Sequence, residues 1–572
     1  MAYARDLGGA SYGDRVAFSA TLAEPFNYAI PGNLDWRNYL AERGIIAEAR
    51  GDRLEILKKA PFPVRFAASF RARSLALFEK NFTADPASVL AGVVLGEKKS
   101  VSDELKTAFQ DSGAMHLLVA SGSNVGFITF LAYFICSRLR IGKKYSGLAA
   151  LLCSGFYVLM AGLEAPLVRG YLMFSAALIG YLLDRDSGVF QGLVIACFVI
   201  LLFNPSALFD AGFQMSFIAS YGITVGMTLW DKLIPLKGPP LYVVCTLLVS
   251  FFAQVGLYPL MAIYFHKISL ISIFSNVLLV PLSGVIMGLG FATLFTSWQP
   301  ALFAAVKALT GFTLSVFIWL LKAFAGFKYS SVLVSPPSAF MLAAFFALVL
   351  VLLHAPLLGF RRSRLYAFVA VPLLAVVTAC LIPRGNLVSV FSDRDTRSVI
   401  LRRGDTGLFL FNPGISGRKL ANAALFYGFR EVEGAFVSSL SRRDWNGLEE
   451  LAGLIRIKKV VLPYGARPTE LADALDRLAA GGVTVESAWP GDKLLFSGVE
   501  VLPDRISAEN VRSISVGYTG RGQGEGLDWA VKAPEFEVAL LNGGTRVSVS
   551  GSVSVGTLVL ENLPGKAVEM EL

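Results

Sequence analysis

The sequence predicts a polytopic α-helical membrane protein of about ten spans, with a small β module before the helices and a soluble α/β domain after them. Three observations carry that expectation. Mean hydropathy is +0.59, and 54% of the 572 residues are hydrophobic against 16% charged, which excludes a purely soluble chain. Between about Met115 and Pro383 apolar stretches follow one another, most near the roughly 20 residues a bilayer requires. From Asn386 the pattern changes to short alternating strands and amphipathic helices.

Taken in order, residues 1–60 read as a small β module. YGDRVAFSATLA and IIAEARGDRLEIL alternate as strands do, and PGNLDWRNYLAERG between them reads as one short helix closed by Gly44. The polar start, MAYARDLGGASYGDR, resembles neither a signal peptide nor a leading anchor helix. Residues 61–112 read as an amphipathic helical linker, with basic residues along one side of VRFAASFRARSLALFEKNF, the pattern of a helix lying on a membrane surface.

The membrane block occupies 113–385. Its candidate spans run at about 115–135, 146–163, 166–183, 189–203, 211–229, 240–264, 268–296, 301–325, 337–358 and 364–383. The 189–203 span is short and the 268–296 span is long, so either is a candidate for a broken or re-entrant segment. The last domain, 386–572, opens with successive strands in LVSVFSDRDTRSVILRRGDTGLFLFNPG. It continues through the helix LANAALFYGFR and the buried strands GAFVSSL and KKVVLPYG. PTELADALDRLAAGG is a later helix with a Gly-Gly stop.

Charge is uneven: about +1 over residues 1–112, about +11 over 113–387 and about −2 over 388–572, which sum to the +10 of the whole chain. The excess therefore sits on membrane loops. RLRIGKK (138–144), LDRD (183–186), DKLIPLK (231–237) and RRSR (361–364) share one side of a ten-span layout and hold about ten basic residues. Lysine and arginine favour the cytoplasmic side, so the N-terminal module and the C-terminal domain are expected outside. Composition alone gives no nucleic-acid footprint, because the soluble parts are nearly neutral. The five cysteines (136, 153, 197, 245 and 380) all lie in or beside apolar segments without a CxxC pair, so they read as small packing residues.

Polar residues inside the spans are the candidates for function, because lipid tolerates such groups only where they face each other or a wet cavity. In GAMHLLVASGSNVGF, His116 precedes a soft break in which Gly122 permits close approach and Ser121, Ser123 and Asn124 can line a cavity. The plainer alternative is glue between helices. In MAGLEAPLVRGYLM, Glu164 and Arg169 flank a turn, and Arg169 either pairs with a carboxylate or faces an anion in the conduit. In FNPSALFDAGFQMSF, Asp210 and Gln214 share a helical face, while Asp210 equally suits an N-cap. Gln254, Pro259, Asn276 and Pro281 interrupt two consecutive spans, as proline-broken helices beside amides do when backbone polar groups meet a cavity. His266 beside Lys267 suits the water interface better than a metal.

The order HLLVASGSNVG, LVRG, NPSALFDAGFQMSF, YPLMAIYFHKISLISIFSNVLLVPL resembles the ComEC-type competence proteins, the inner-membrane channels that admit single-stranded DNA during natural transformation. NLDWRNYLAERGI is similar to the end of that family's small external OB-like module, which makes residues 1–60 a partial OB-like module without the hydrophobic helices that usually precede it. The family's core pattern falls on His116, Ser121, Gly122, Arg169, Asn204, Pro205, Asp210, Phe213, Gln214, Pro259, Asn276 and Pro281. Ser123-Asn124 stands where the family often has Leu-His.

The resemblance implies a metallo-β-lactamase-like last domain that degrades the strand left outside. That chemistry needs clustered histidines and aspartates. The chain has three histidines, none beyond His354, and the four ligand places fall on Ser439, Ser441, Arg443 and Asp444. Asn412 stands where a carboxylate usually follows the strand, and LLNGG, ending at Gly544, lacks the late aspartate. The expectation is a domain without catalytic metal or cofactor, kept for its shape, in which Arg442 and Arg443 either contact phosphate or form a solvated loop. The chain has no GxxxxGK[ST] loop, so an ATP-driven motor inside and a DNA receptor outside would be separate partners. Two other readings stand beside the DNA channel: a secondary transporter or membrane scaffold for another solute, and a metal-dependent nuclease, which the histidine census disfavours.

Overall fold

The computed structural model describes residues 2–6, 9–10, 12–26, 30–53, 55–163, 165–182, 189–230, 237–358, 385–392, 397–465, 467–489, 492–496, 499–505, 527–532, 536–541, 544–549, 557–560 and 567–571. The chain divides into two compact units. Met1–Glu24, Glu42–Val332 and Ala343–Pro372 form one; Pro25–Ala41, Leu333–Leu342 and Leu373–Leu572 form the other. The expected span at 364–383, Glu164, the loops 183–186 and 361–364 and most of 231–237 lie outside the described residues.

The first unit begins with short strands β1 (Ala2–Asp6), β2 (Arg15–Ala17), β3 (Ala20–Ala23), β4 (Glu48–Arg53) and β5 (Glu55–Lys58). They form a three-stranded sheet ordered β1-β4-β3 and a separate β2–β5 pair. Residues 1–60 do not form a single module: the stretch containing helix α1 (Trp36–Ala41) belongs to the other unit. Its anchor is Ile30, 4% exposed in that unit's core, followed by Asn33, whose Nδ2 donates to the Lys419 carbonyl at 2.9 Å. Hydrophobic alternation reports that a segment has a buried side, not which core receives it.

The helices of the first unit are α2 (Phe62–Asn81), α3 (Ala84–Leu95), α4 (Asp103–Asp111), α5 (Met115–Leu118), α6 (Gly122–Arg138), α7 (Lys143–Ala161) and α8 (Ala165–Leu182). Then come α9 (Val189–Phe203), α10 (Ala211–Trp230), α11 (Pro239–Phe265), α12 (Ser272–Thr296) and α13 (Pro300–Ala325). Helix α14 (Ala339–Leu358) follows. Helices occupy nine of the expected segments, and among the described residues four of them meet the length and apolarity needed to cross a membrane: Lys143–Ala161, Pro240–Phe265, Ser272–Thr296 and Pro300–Ala325. Pro166–Leu182, Phe190–Phe203 and Ala339–Val351 are shorter apolar helices.

Three expectations are corrected here. The linker is not surface-lying throughout: every residue of α3 from Ala87 to Leu95 is buried. Leu90, Val94 and Leu95 sit in one core with Phe78, Phe109, Leu118, Ile286 and Phe317. Past Asp85 its residues are small or apolar, which lets neighbouring elements pack around it on every side. Second, Pro259 and Pro281 do not break their helices; α11 and α12 run through them. Each proline removes one backbone donor, a loss that neighbouring helices absorb in a bundle. Third, the first expected span starts late. Val119 and Ser121 are extended, so His116 lies on the short α5 and α6 begins at Gly122.

Two polar knots hold this unit. Arg71 Nη1 donates to Leu95 O at 2.5 Å and Met160 O at 3.3 Å, and Nη2 pairs with Glu97 at 3.1 Å. One guanidinium thereby satisfies carbonyls in the last turns of both α3 and α7, where cations complement the helix dipole. At the start of α12, Ser269 Oγ donates to Asp111 O (2.8 Å) and Ser275 Oγ to Ser112 O (2.7 Å). Asp111 also accepts from Ser331 Oγ (2.6 Å) and pairs with Lys267.

The second unit is built on two sheets. A seven-stranded mixed sheet has the order β15-β14-β12-β10-β9-β8-β22, with β22 (Ala567–Glu571) at its edge, and a six-stranded antiparallel meander runs through β16 (Leu494–Phe496), β17 (Val499–Arg505), β18 (Leu527–Lys532), β19 (Phe536–Leu541), β20 (Gly544–Val549) and β21 (Thr557–Leu560). In the first, β8 (Leu387–Ser392), β9 (Arg397–Arg403) and β10 (Gly407–Phe411) are antiparallel. Next, β12 (Gly434–Phe436), β14 (Lys459–Pro463) and β15 (Thr484–Ala488) continue parallel to β10. The all-buried run GLFLF of β10 is what a central strand covered on both faces requires. Phe496 of β16 (Leu494–Phe496) packs edge-on against Phe409 and Phe436, with centroids at 6.1 and 5.2 Å, and joins the two sheets. Helices α15 (Gly417–Phe426), α16 (Arg442–Trp445), α17 (Leu448–Ala452) and α18 (Thr469–Ala480) complete the unit.

Candidate functional site

The sequence-selected polar residues of the helical unit gather in two places. At the first, α6, α8 and α10 meet. Gly122 and Gly170 bring α6 and α8 together so closely that a Cβ on Gly170 would lie 2.5 Å from Gly122 Cα. Beside that crossing Asn124 is fully engaged: Nδ2 donates to Val93 O at 2.9 Å and Tyr157 Oη at 3.2 Å, and Oδ1 accepts from Ser121 Oγ at 3.3 Å. Ser121 and Ser123 hydroxyls are 2.6 Å apart. Asn124 thus ties α3, α6 and α7 together, the interhelical role weighed against a cavity lining.

One residue along α8 from the glycine crossing, Arg169 is 3% exposed, and its Nη2 donates to Gly212 O at 2.8 Å. Its Nε has no hydrogen-bond partner among the described residues. Asp210 caps α10, with Oδ1 accepting from Phe213 N at 2.8 Å, while Oδ2 accepts from Arg43 Nη2 at 2.5 Å. The cap alternative for Asp210 holds, and the residue also has a cationic partner from outside the membrane block. Gln214 links the preceding turn to α11 through Leu208 O (3.0 Å) and Tyr264 Oη (2.9 Å). Asn204 Oδ1 accepts from Ser206 Oγ at 2.6 Å.

The second place is the α11–α12 contact. Asn276 Nδ2 donates to Ser250 Oγ at 3.4 Å, while its Oδ1 is buried without a partner among the described residues. Gln254 is half-buried, and its side chain makes no hydrogen bond among the described residues. His116 is exposed, with Nδ1 3.2 Å from Gly113 O, and joins neither cluster; His266 is buried at the end of α11 in the left-handed region, φ +51°. Arg43, Tyr157, Tyr264 and Ser250 escaped sequence reasoning because each is an ordinary residue in its own segment and becomes a partner only across 26 to 167 positions.

In the second unit the ligand-type positions are spent on structure. Asn412 adopts φ +52° after β10, and its Oδ1 accepts from Ser438 N at 2.7 Å, clamping the neighbouring strand end. Ser439 Oγ donates to Asp444 Oδ2 at 2.6 Å and accepts from Ser441 N at 3.2 Å. Arg442 pairs with Glu470 at 3.4 Å, Arg443 is exposed, and Gly544 starts β20 (Gly544–Val549). Among the described residues no three His, Cys, Asp or Glu side chains cluster as a metal site would require.

Burial pushes the Asp444 carboxyl above the ordinary range, opposed by the Ser439 hydroxyl and the Arg443 charge. A raised folded-state value means the folded chain holds the proton longer than the unfolded chain. Stability from this group is therefore greatest below the ordinary carboxylate range and falls as pH rises through the window above it. Asp444→Asn keeps an acceptor for Ser439 and removes the titration. Thermal unfolding across that window should show wild type losing stability relative to the variant; parallel curves would refute the assignment.

The fold and its polar clusters define a helical membrane protein that carries an α/β unit. Residues 93–358 match the family described as Competence protein. It is 24% identical over 559 residues to ComE operon protein 3 of Bacillus subtilis (strain 168), covering 89% of this chain and 68% of that protein. It is also 26% identical over 230 residues to the uncharacterized protein YcaI of Escherichia coli (strain K12), covering 37% and 30%. Among solved structures, a Cronobacter sakazakii metallo-β-lactamase motif mutant aligns with TM-score 0.18 and 16% identity, over 28% of this chain and 58% of that one. The diiron β-hydroxylase CmlA of Streptomyces venezuelae aligns with TM-score 0.19 and 17% identity, over 38% and 40%. Scores this low establish no common fold.

Proposed function

We propose that this chain is a multi-pass inner-membrane channel for single-stranded DNA during natural transformation, with both soluble parts on the outer side. The competence-family match over the helical unit supports the DNA reading, and the observation that carries the channel is Arg169. A guanidinium buried among apolar helices, with one N–H unmet, is costly in lipid and becomes tolerable where water or a phosphate reaches it. The unmet Asn276 Oδ1 and half-buried Gln254 extend the same argument to α11 and α12. Sparse cations suit a moving polyanion, because a dense basic lining would hold it in place. The C-terminal unit, read as metallo-β-lactamase-like by resemblance, acts without a catalytic metal. A receptor outside and an ATP-driven motor inside are separate partners.

Deleting the gene should abolish transformation by free DNA while leaving DNA binding at the cell surface intact. Arg169→Met conserves bulk, and a buried charge with an unmet donor adds little net stability. Protein level should therefore hold while uptake falls about tenfold or more, as loss of one charge-assisted contact of ~1.4 kcal/mol implies. Uptake unchanged in Arg169→Met, and in a combined Asn124, Asp210 and Gln254 to alanine variant, would remove the pathway and favour transport of another solute.

A further inference from the structure

We propose that Tyr464 and Trp489 form a stacking platform for single-stranded nucleic acid on the C-terminal unit. The two rings lie nearly parallel, 21° apart with centroids at 4.1 Å. They are nevertheless 62% and 52% exposed. A pair formed only to bury apolar surface would be covered on its outer faces; this one leaves them to solvent. Both residues stand just past the ends of neighbouring parallel strands, Tyr464 after β14 and Trp489 after β15, and Tyr464 N donates to Ala488 O at 3.1 Å. Trp489 N is fixed by Asp492 Oδ2 at 2.7 Å. The platform is therefore held by backbone, with rings already parallel, and a base added to the outer face would lengthen an existing stack at little cost in ordering.

The charges beside it fit a polyanion. Arg467 is exposed, and its Nη2 donates to the neutral hydroxyl of Ser487 in β15, two residues before Trp489, at 2.9 Å. No carboxylate neutralises it among the described residues. The segment leading into α16, which bears Arg442 and Arg443, borders the platform, because a Cβ on Gly465 would lie 3.5 Å from Leu440. The acidic neighbours are engaged: Glu470 with Arg442, Glu486 with Lys459 at 2.5 Å, Asp444 with Ser439 and Asp492 with the Trp489 amide. Unpaired bases present free π-faces and phosphates to such an arrangement, whereas a duplex keeps its bases stacked on each other.

This inference rests on the DNA-uptake reading, and the test separates the two. Purified full-length chain in detergent would be titrated into a fluorescein-labelled oligo-dT and into a duplex of the same length, following anisotropy. Trp489→Ala and Tyr464→Ala should each weaken oligo-dT binding roughly 5- to 150-fold, the effect of one lost stacked base, with duplex binding unchanged. Trp489→Phe should retain most of the affinity, and Arg467→Ala should lower the salt dependence by about 0.7 in log–log slope. Unfolding temperatures should not move, since both rings are exposed. Oligo-dT affinity indifferent to both alanine variants, or equal losses on oligo-dT and duplex, overturns the platform and leaves the uptake reading standing. Wild-type chain that binds neither nucleic acid overturns both.

Discussion

Gly414→Ala is expected to abolish the folded C-terminal unit. A Cβ built at Gly414 would lie 1.3 Å from Arg443 O, 2.4 Å from its carbon and 3.1 Å from Asp444 N, all backbone atoms. The same crossing presses Gly447 to within 1.9 Å, Cβ to Ile415 O, and Gly417 to within 2.3 Å of Leu451 N. Gly447 N donates to Pro413 O at 2.8 Å and locks the two segments together. No rotamer change relieves backbone on backbone, so the segments must part by more than an ångström. Overpacking a core commonly costs about 1–3 kcal/mol; this case belongs in the tail above about 4. That is most of the stability of an ordinary domain of about 5–15 kcal/mol at its lower end. Limited proteolysis of the full chain should cut the variant throughout 388–572 under conditions that spare wild type. Gly453→Ala, whose Cβ would sit 3.6 Å from its nearest neighbour, is the matched control and should behave as wild type. Equal resistance of Gly414→Ala and Gly453→Ala would mean that this crossing is mispositioned.

The second large effect lies in the helical unit, at the α6–α8 crossing. Substitutions there should be graded by geometry. Gly122→Ala would bring its methyl 3.3 Å from Gly170 Cα, which a shift of a few tenths of an ångström absorbs. Gly170→Ala would place a methyl 2.5 Å from Gly122 Cα and 3.3 Å from its carbonyl, and Gly170→Val adds two more carbons against the same backbone. Between membrane helices, small residues permit the close approach that supplies most of the packing attraction, so forcing the pair apart has no hydrophobic compensation. The cost should be about 3 kcal/mol or more for the valine variant. Function should suffer beyond stability, because moving α8 draws its Arg169 away from Gly212 O. Unfolding in detergent and transformation frequency should therefore both rank wild type, Gly122→Ala, Gly170→Ala, Gly170→Val in falling order. Gly284→Ala in α12, with nothing within 4 Å of its Cβ, should be silent. A Gly170→Val protein that unfolds and transforms like wild type would show that the crossing does not exist in the membrane.

The residues alone determined the kinds of element and several local devices. Apolar runs of bilayer length announced the helices. The Asn204-Pro205 to Asp210 spacing announced a helix end and a cap, and Asp210 does cap α10. The absence of imidazoles after His354 argued against a zinc site before any strand was placed. These properties are local: they depend on periodicity, on one turn of backbone or on composition.

Tertiary structure decided which polar group meets which. Nothing in ADPASVLAGVVL says that α3 becomes the centre of a bundle, since apolar composition is common to buried and lipid-facing helices. Nothing in Asn124 names Tyr157 and Val93 O as its partners, nor in Asp210 the distant Arg43. Ile30 and Asn33 joined the C-terminal core because that core had the complementary surface, a fact encoded some 390 residues away. Pro259 and Pro281 left their helices continuous because neighbouring segments bear the loss of one donor. A chain's pattern states what each segment must hide or satisfy; the partners come from packing, where free energy depends on pairs that sequence order does not record.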